Sequence, residues 1–170
     1  MANDLVGMKR AALRLGLCGA YRGRWDAAVD KRALVDLCAG ADGMAFMASA
    51  AAGGWGLTAE YISDVFGEYV NGGYVHRGNG GYTGEVLAGV LPDGYTLRCT
   101  LTLAVGVRGV LRVGKYAVRQ LYVCGGSDID IECDGVCYCH IYGGNTVRVA
   151  GAGAYHGREV PRAEWFGVAR

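Results

Sequence analysis

Proline is nearly missing from this chain, with two residues in 170 against thirty glycines. Glycine enrichment without proline excludes a collagen-like repeat or a stiff proline-rich spacer and fits many tight turns. Phenylalanine and histidine are scarce too, at three each, so any imidazole chemistry must draw on His76, His140 or His156. Neither charge sign dominates. A net charge of +1 supplies no field that would draw the chain to nucleic acid or an anionic membrane. No apolar run reaches the roughly 20 residues that span a bilayer, and the small-residue stretch from Met44 to Gly56 is too short. The opening MANDLVGMKR has no apolar core of a signal peptide, so a soluble cytoplasmic chain is expected. A hydrophobic fraction of 52% against 19% charged residues argues against disorder.

What is present is alternation. From Leu121 to Ala150 apolar residues recur every second position, and the pattern returns every eight: Val123, Ile131, Cys139, Val147 in one row, Leu121, Ile129, Cys137 in a second, Cys133, Ile141, Val149 in a third. Residues two apart in a strand share a face, so these rows predict short strands with one apolar side. Glycines at 125–126, 135, 143–144, 151 and 153 punctuate them. Two architectures compete. In a small β-solenoid with that eight-residue step, the outward rows read Glu132–His140–Arg148 and Asp130–Tyr138–Thr146, with compatible charges side by side. In an antiparallel β-meander, Asp134-Gly135 becomes a hairpin turn, which mixes apolar and polar faces. The solenoid is preferred.

The first half reads as helical. Leu5, Met8, Ala12 and Leu15 repeat at helical spacing. Asp30 can cap KRALVDLCA, Asp42 a third helix ending at Gly53-Gly54, and Thr58 a fourth, AEYISDVFGEYV, closed by Asn71-Gly72. Trp25 and Trp55 read better as core anchors than as surface residues. Tyr74–His76 and Tyr82–Leu87 flank RGNGG as a hairpin, Pro92-Asp93-Gly94 reads as a turn, and Tyr95 to Val105 alternates. PRAEWF reads as a last short helix whose Trp165 and Phe166 cover an open end of the stack. The expected fold is therefore α+β: a helical domain over 1–72 forming an N-terminal bundle, a hairpin connector over 73–96, the β-solenoid or β-meander over 97–155 and a C-terminal cap over 156–170.

Candidate chemistry is thin. Cys133, Cys137, Cys139 and His140 are metal-ligand types, and zinc needs four ligands that converge. Cys139 and His140 point to opposite faces of a strand, and the cysteines fall in apolar rows, so these four remain weak candidates and no metal or other cofactor is expected. Seven cysteines among apolar neighbours read as reduced, buried thiols. Asp128, Asp130, Glu132 and Asp134 read as a solvated stripe partly neutralised by Arg112, Lys115, Arg119 and Arg148. Tyr21, Arg22, Arg24, Trp25 and Arg32 form a basic-aromatic cluster that suits a nucleotide or phosphate, and Gly78-Asn79-Gly80-Gly81 offers backbone N–H groups without the Lys-Ser/Thr of a P-loop. A solvated helix face and a hairpin turn are the plainer readings of the two. No hydrolase, protease or transferase signature surrounds the histidines or Ser49, Ser63 and Ser127.

Trp25 with Lys31, Leu34, Asp36 and Leu37, then Asp42-Gly43-Met44, Gly54-Trp55-Gly56-Leu57, Tyr61-Ile62 and Tyr69-x-Asn71-Gly72-x-Tyr74 carry a resemblance over about residues 20 to 75. This part resembles a group of small uncharacterised proteins encoded by phages and prophages of gut bacteria. The resemblance implies a setting, in the cytoplasm of a bacterial host or on a virion, and no mechanism. Together these readings lead to a non-enzymatic accessory or structural interaction protein, a homo-oligomer with a trimer as the named form, whose other partner is a virion or host protein, with neither membrane nor nucleic acid. The alternatives are a binder of a nucleotide signal that counters host defence, and a metal-dependent enzyme built on Cys133 to His140.

Overall fold

A computed structural model describes residues 19–28, 30–54 and 57–166, with the side chains of residues 19–22 set aside. The helix expected around Leu5 to Leu15 lies outside the described residues, as do Trp55 and Cys18. Four helices come first: α1 (Gly19–Ala27), α2 (Lys31–Ala39), α3 (Ala41–Ala52) and α4 (Ala59–Phe66). Asp30 caps α2 by accepting from the Ala33 N–H at 2.8 Å, and Thr58 caps α4 by accepting from the Tyr61 N–H at 3.1 Å. Asp42 does not cap α3; Gly40 holds that position and Asp42 sits in the first turn. No single described helix is long and apolar enough to cross a membrane, and α2 and α3 meet at a bend of 97°.

Eight strands follow: β1 (His76–Arg77), β2 (Thr83–Thr96), β3 (Leu101–Val113), β4 (Val118–Cys124), β5 (Asp128–Cys133), β6 (Val136–Ile141), β7 (Thr146–Ala150) and β8 (Ala154–Glu159). β1 pairs antiparallel with the start of β2, as the RGNGG hairpin requires. Every other pairing is parallel, which rules out the antiparallel meander. The parallel ladder already begins at Gly84↔Leu101. The first halves of β2 and β3, then β4, β6 and β8, stack into one sheet, A; the second halves of β2 and β3, then β5 and β7, stack into a second, B. The chain winds through A, round a corner, through B and back, making a two-sided solenoid of about four turns.

The stacking step differs from the expected eight. Gln120 pairs with Tyr138 and Tyr138 with His156, a step of eighteen. Eight residues is the step from one sheet to the facing one, so Val123 and Ile131 belong to opposite sheets of one apolar core rather than to stacked strands. The outward rows are accordingly Val110–Asp130–Arg148 and Arg112–Glu132–Ala150 on sheet B, and Gln120–Tyr138–His156 and Tyr122–His140–Arg158 on sheet A. Charge complementarity survives the new register: Arg148 reaches Asp128 at 2.5 Å and Asp130 at 2.6 Å, and Arg112 reaches Glu132 at 3.1 Å. Arg119 instead donates to the Leu97 and Val118 carbonyls, and Lys115 lies over the Tyr116 ring.

Leu87, Leu91, Leu111, Leu121, Val123, Ile129, Ile131 and the thiols of Cys133, Cys137 and Cys139 fill the space between the sheets. The corners are made of glycine and polar links. At Gly125 φ is 71°, a region that L side chains avoid. Beside it the Ser127 hydroxyl accepts from the Val107 N–H at 2.9 Å, and the Asn145 side-chain oxygen accepts from the Ser127 N–H at 2.8 Å, so each of these corners satisfies a backbone N–H of the one before it. At the opposite corner coils touch backbone to backbone: a Cβ on Gly135 would stand 2.2 Å from the Gly114 carbonyl oxygen.

The helices cover the outer face of sheet A. Leu34, Val35, Met44, Met47, Ile62 and Phe66 pack on Val86, Leu101, Leu103 and Val105. Leu101 to Val105 are buried throughout, so the alternation expected from Tyr95 to Val105 breaks; residues 97–100 form the turn between coils and Thr102 points inward. Pro92-Asp93-Gly94 lies inside β2 at a register shift, a bulge rather than a free turn. Trp165 and Phe166 do not cover the stack's end. Trp165 donates from Nε1 to the Val160 carbonyl, Phe166 meets Phe46 of α3 edge to face at 5.4 Å, and only a short 3-10 turn (Arg162–Glu164) precedes them.

Candidate functional site

The two nominated ligand-binding segments come together. α1 and α2 face the β1–β2 hairpin across a groove of about 820 Å³ lined by Arg24, Asp36, Asp42, His76, Arg77, Gly78, Asn79, Tyr82 and Thr83 among others. Among the described side chains of the expected cluster, only Arg24 lines this groove. Trp25 is 2% exposed and belongs to the core. Arg32 turns to Tyr74, its guanidinium lying 5.5 Å from the ring centre and its Nε donating to the hydroxyl at 3.4 Å. The side chains of Tyr21 and Arg22 lie outside the described residues.

At the groove wall three side chains from two elements share one oxygen. Tyr74 donates its hydroxyl to Asp36 Oδ1 at 2.5 Å, and His76 Nδ1 stands 2.9 Å from the same atom. Tyr74 and His76 are two apart on one extended segment, so they present to the same side. Burial and the Asp36 bond push the Tyr74 phenol up, which keeps it a donor. With Asp36 accepting from Nδ1–H, the neutral imidazole carries its lone pair on Nε2, which lies 3.6 Å from where a Gly78 Cβ would stand. Sequence reasoning missed this cluster because Asp36 and His76 are forty residues apart. The only local sign was the Tyr-x-His alternation.

The metal candidates are kept apart. Cys133, Cys137 and Cys139 face the core, each at most 1% exposed, while His140 on the next position points out and stacks on Tyr122 with ring centres 4.7 Å apart. Burial pushes the Cys137 thiol up to about 12 and the Cys139 thiol to about 11, so both stay protonated near neutrality. Among the described residues no group of three or more His, Cys, Asp or Glu side chains is placed to hold a metal ion.

A second polar cluster closes the first coil. Glu85, with a side chain 0% exposed, accepts from the Cys99 thiol at 2.8 Å and from Arg98 Nε at 3.4 Å, and Arg98 also donates to the Gly72 carbonyl at 2.7 Å. Its second oxygen, the Tyr95 hydroxyl and the Thr102 hydroxyl have no hydrogen-bond partner. Burial, with Glu85 beside it, pushes Cys99 up to about 12, so it is a donor and not a nucleophile.

The far end of the stack is bare. β3 is mostly buried, whereas every residue of β7 and β8 is exposed except the half-buried Val147 and Tyr155. Among the described residues no strand pairs with the outer edge of β7 or β8. Tyr155 folds back over Gly157, where a Cβ would meet its ring at 2.6 Å. The core is thus lidded while the two backbone edges stay open. Comparison with family models, with curated proteins and with solved structures returned no match. Inference about function rests on these geometries alone.

Proposed function

We propose that this is a non-enzymatic interaction protein, a rigid ridged stack that associates with copies of itself through its last coil and carries a helical layer on one flank. The observation behind this reading is that, among the described residues, the outer edges of β7 and β8 carry no strand, at the end of an otherwise buried ladder. An open strand edge displays a row of N–H and C=O groups whose natural partner is another strand, and a second copy offers the same edge. The rim suits contact, with Val149 41% exposed on β7 and the charged Arg158 and Glu159 on β8. The N-terminal helices, read as a bundle, then dock a virion or host protein at the free flank, in the bacterial cytoplasm or on a particle. Such a role fits the phage setting that the resemblance implies.

Pairing of two last coils about a two-fold axis yields a dimer, whereas a trimer needs a lateral contact instead. Size-exclusion chromatography with light scattering separates these outcomes by mass. The expected result is an oligomer that Val149→Lys dissociates with the circular dichroism spectrum unchanged. A clean monomer at high protein concentration overturns the reading.

A further inference from the structure

We propose that the groove between α1, α2 and the β1–β2 hairpin binds a phosphorylated small molecule of nucleotide size, with the His76 imidazole as the phosphate-facing group. This goes beyond self-association and does not depend on it. Four observations converge. The groove, at about 820 Å³, falls in the range of small-ligand sites. His76 is aimed: Asp36 Oδ1 holds Nδ1 at 2.9 Å, Tyr74 holds Asp36 through the same oxygen, and Nε2 is left for something else. A carboxylate behind one ring nitrogen fixes the tautomer and the ring orientation and leaves the other nitrogen to meet a ligand. The hairpin tip brings Gly78 and Asn79 to the same wall. Tyr82, 54% exposed at the rim, offers a ring face for a base.

Charge around the imidazole is mixed. Arg24 from α1 and Arg77 from β1 line the groove with His76, Arg32 of α2 backs Tyr74, and Asp36 of α2 and Asp42 of α3 are the acidic neighbours. Asp36 is already engaged by His76 and Tyr74.

The structural alternative is that Tyr74–Asp36–His76 only latches α2 to the hairpin. Calorimetric titration of the full chain with adenosine monophosphate, adenosine and inorganic phosphate distinguishes the two. The nucleotide should bind at least about tenfold more tightly than the nucleoside. His76→Gln should weaken the nucleotide about tenfold and leave the nucleoside unchanged. Tyr82→Ala should weaken the nucleotide and leave inorganic phosphate unchanged. Tyr74→Phe, which loosens the latch and keeps the imidazole, should lower the melting temperature while nucleotide binding is retained. No heat with the nucleotide or with phosphate at millimolar concentration overturns the proposal. So does a folded His76→Gln protein that binds the nucleotide as the parent does. Light scattering of the same samples reports on self-association separately.

Discussion

The thiols of the core make a quantitative test of whether they are packing material. An exposed thiol ionises near 9, whereas burial pushes Cys38 and Cys137 up to about 12 and Cys139 to about 11. Between these values the folded chain holds protons that the unfolded chain has released, so stability is complete below about pH 9 and falls as pH rises. At pH 10 each such thiol favours the unfolded state by about 1.4 kcal/mol, and three together by about 4 kcal/mol, a large part of the roughly 5–15 kcal/mol that holds a domain together. Buried phenols such as Tyr95 and Tyr142, each pushed up to about 12, titrate in the same range, so the informative quantity is the difference between the parent and Cys137→Ala. At neutral pH the variant loses the packing of one sulfur, a cost of about 1 kcal/mol. By about pH 10 it escapes a penalty of similar size, so the two curves of stability against pH should converge and cross there. Urea unfolding followed by circular dichroism under reducing conditions, in a Cys18→Ser background, reads this directly. Parallel curves would refute the reasoning, as would native-state reaction of Cys137 with a thiol reagent at the rate of a free cysteine.

Gly135→Ala should cost about 3 kcal/mol by urea midpoint, because its Cβ would press on the Gly114 and Ala117 carbonyl oxygens at 2.2 Å and 2.4 Å, whereas Gly114→Ala, with open space around it, should fall within about 0.5 kcal/mol of the parent. His140 is held below the ordinary histidine range, first by burial and then by Arg158 beside it, and its Nε2 has no partner. The unfolded chain therefore takes up that proton first, stability contributed by the neutral ring is complete above about pH 6.5 and declines below it, and His140→Phe should flatten the decline. Arg98→Met leaves Glu85 buried beside a thiol with no cation, and should destabilise by about 3 kcal/mol at neutral pH, measured by the same urea unfolding.

How much of this could be read from the chain depends on whether the cause is local. The caps at Asp30 and Thr58 act within three residues, and both stand as read. Period-two alternation made the strands and their inward sides legible, and it separated Cys139 from His140 before any coordinates. The stacking step was not legible. Eight residues from one apolar row to the next is the same signal whether the chain stacks at once or first crosses to a facing sheet, and only the pairing of Tyr138 with Gln120 and His156 resolves it. Leu101 to Val105 hid their faces for another reason: with helices on one side and the core on the other, both sides must be apolar, and alternation disappears. The Asp36–His76 contact had no local cause at all, since it exists only once α2 docks against the hairpin.

The two ends of the stack differ in a way that gives the molecule a direction. At the first coil, β1 pairs with the edge of β2, Asn71 bonds both the N–H and the carbonyl of Ala88, and Arg98 anchors the Glu85 cluster to the Gly72 carbonyl. On sheet A, edge backbone between Thr83 and Ala88 is met by the chain's own groups, and a partly exposed arginine offsets the buried carboxylate. The last coil receives a lid, Tyr155 over Gly157, which shields the thiols, and among the described residues no strand pairs with the outer edge of β7 or β8. Solenoids without an end cap tend to extend, because each added coil contacts only its neighbour and the terminal edge always looks like the one before it. Hydrogen bonds along the sheet A edge of the first coil work against extension there, whereas both edges of the last coil are open to a second copy. Pairing of two last coils therefore uses the more open end of each partner, which favours a closed oligomer over a fibre.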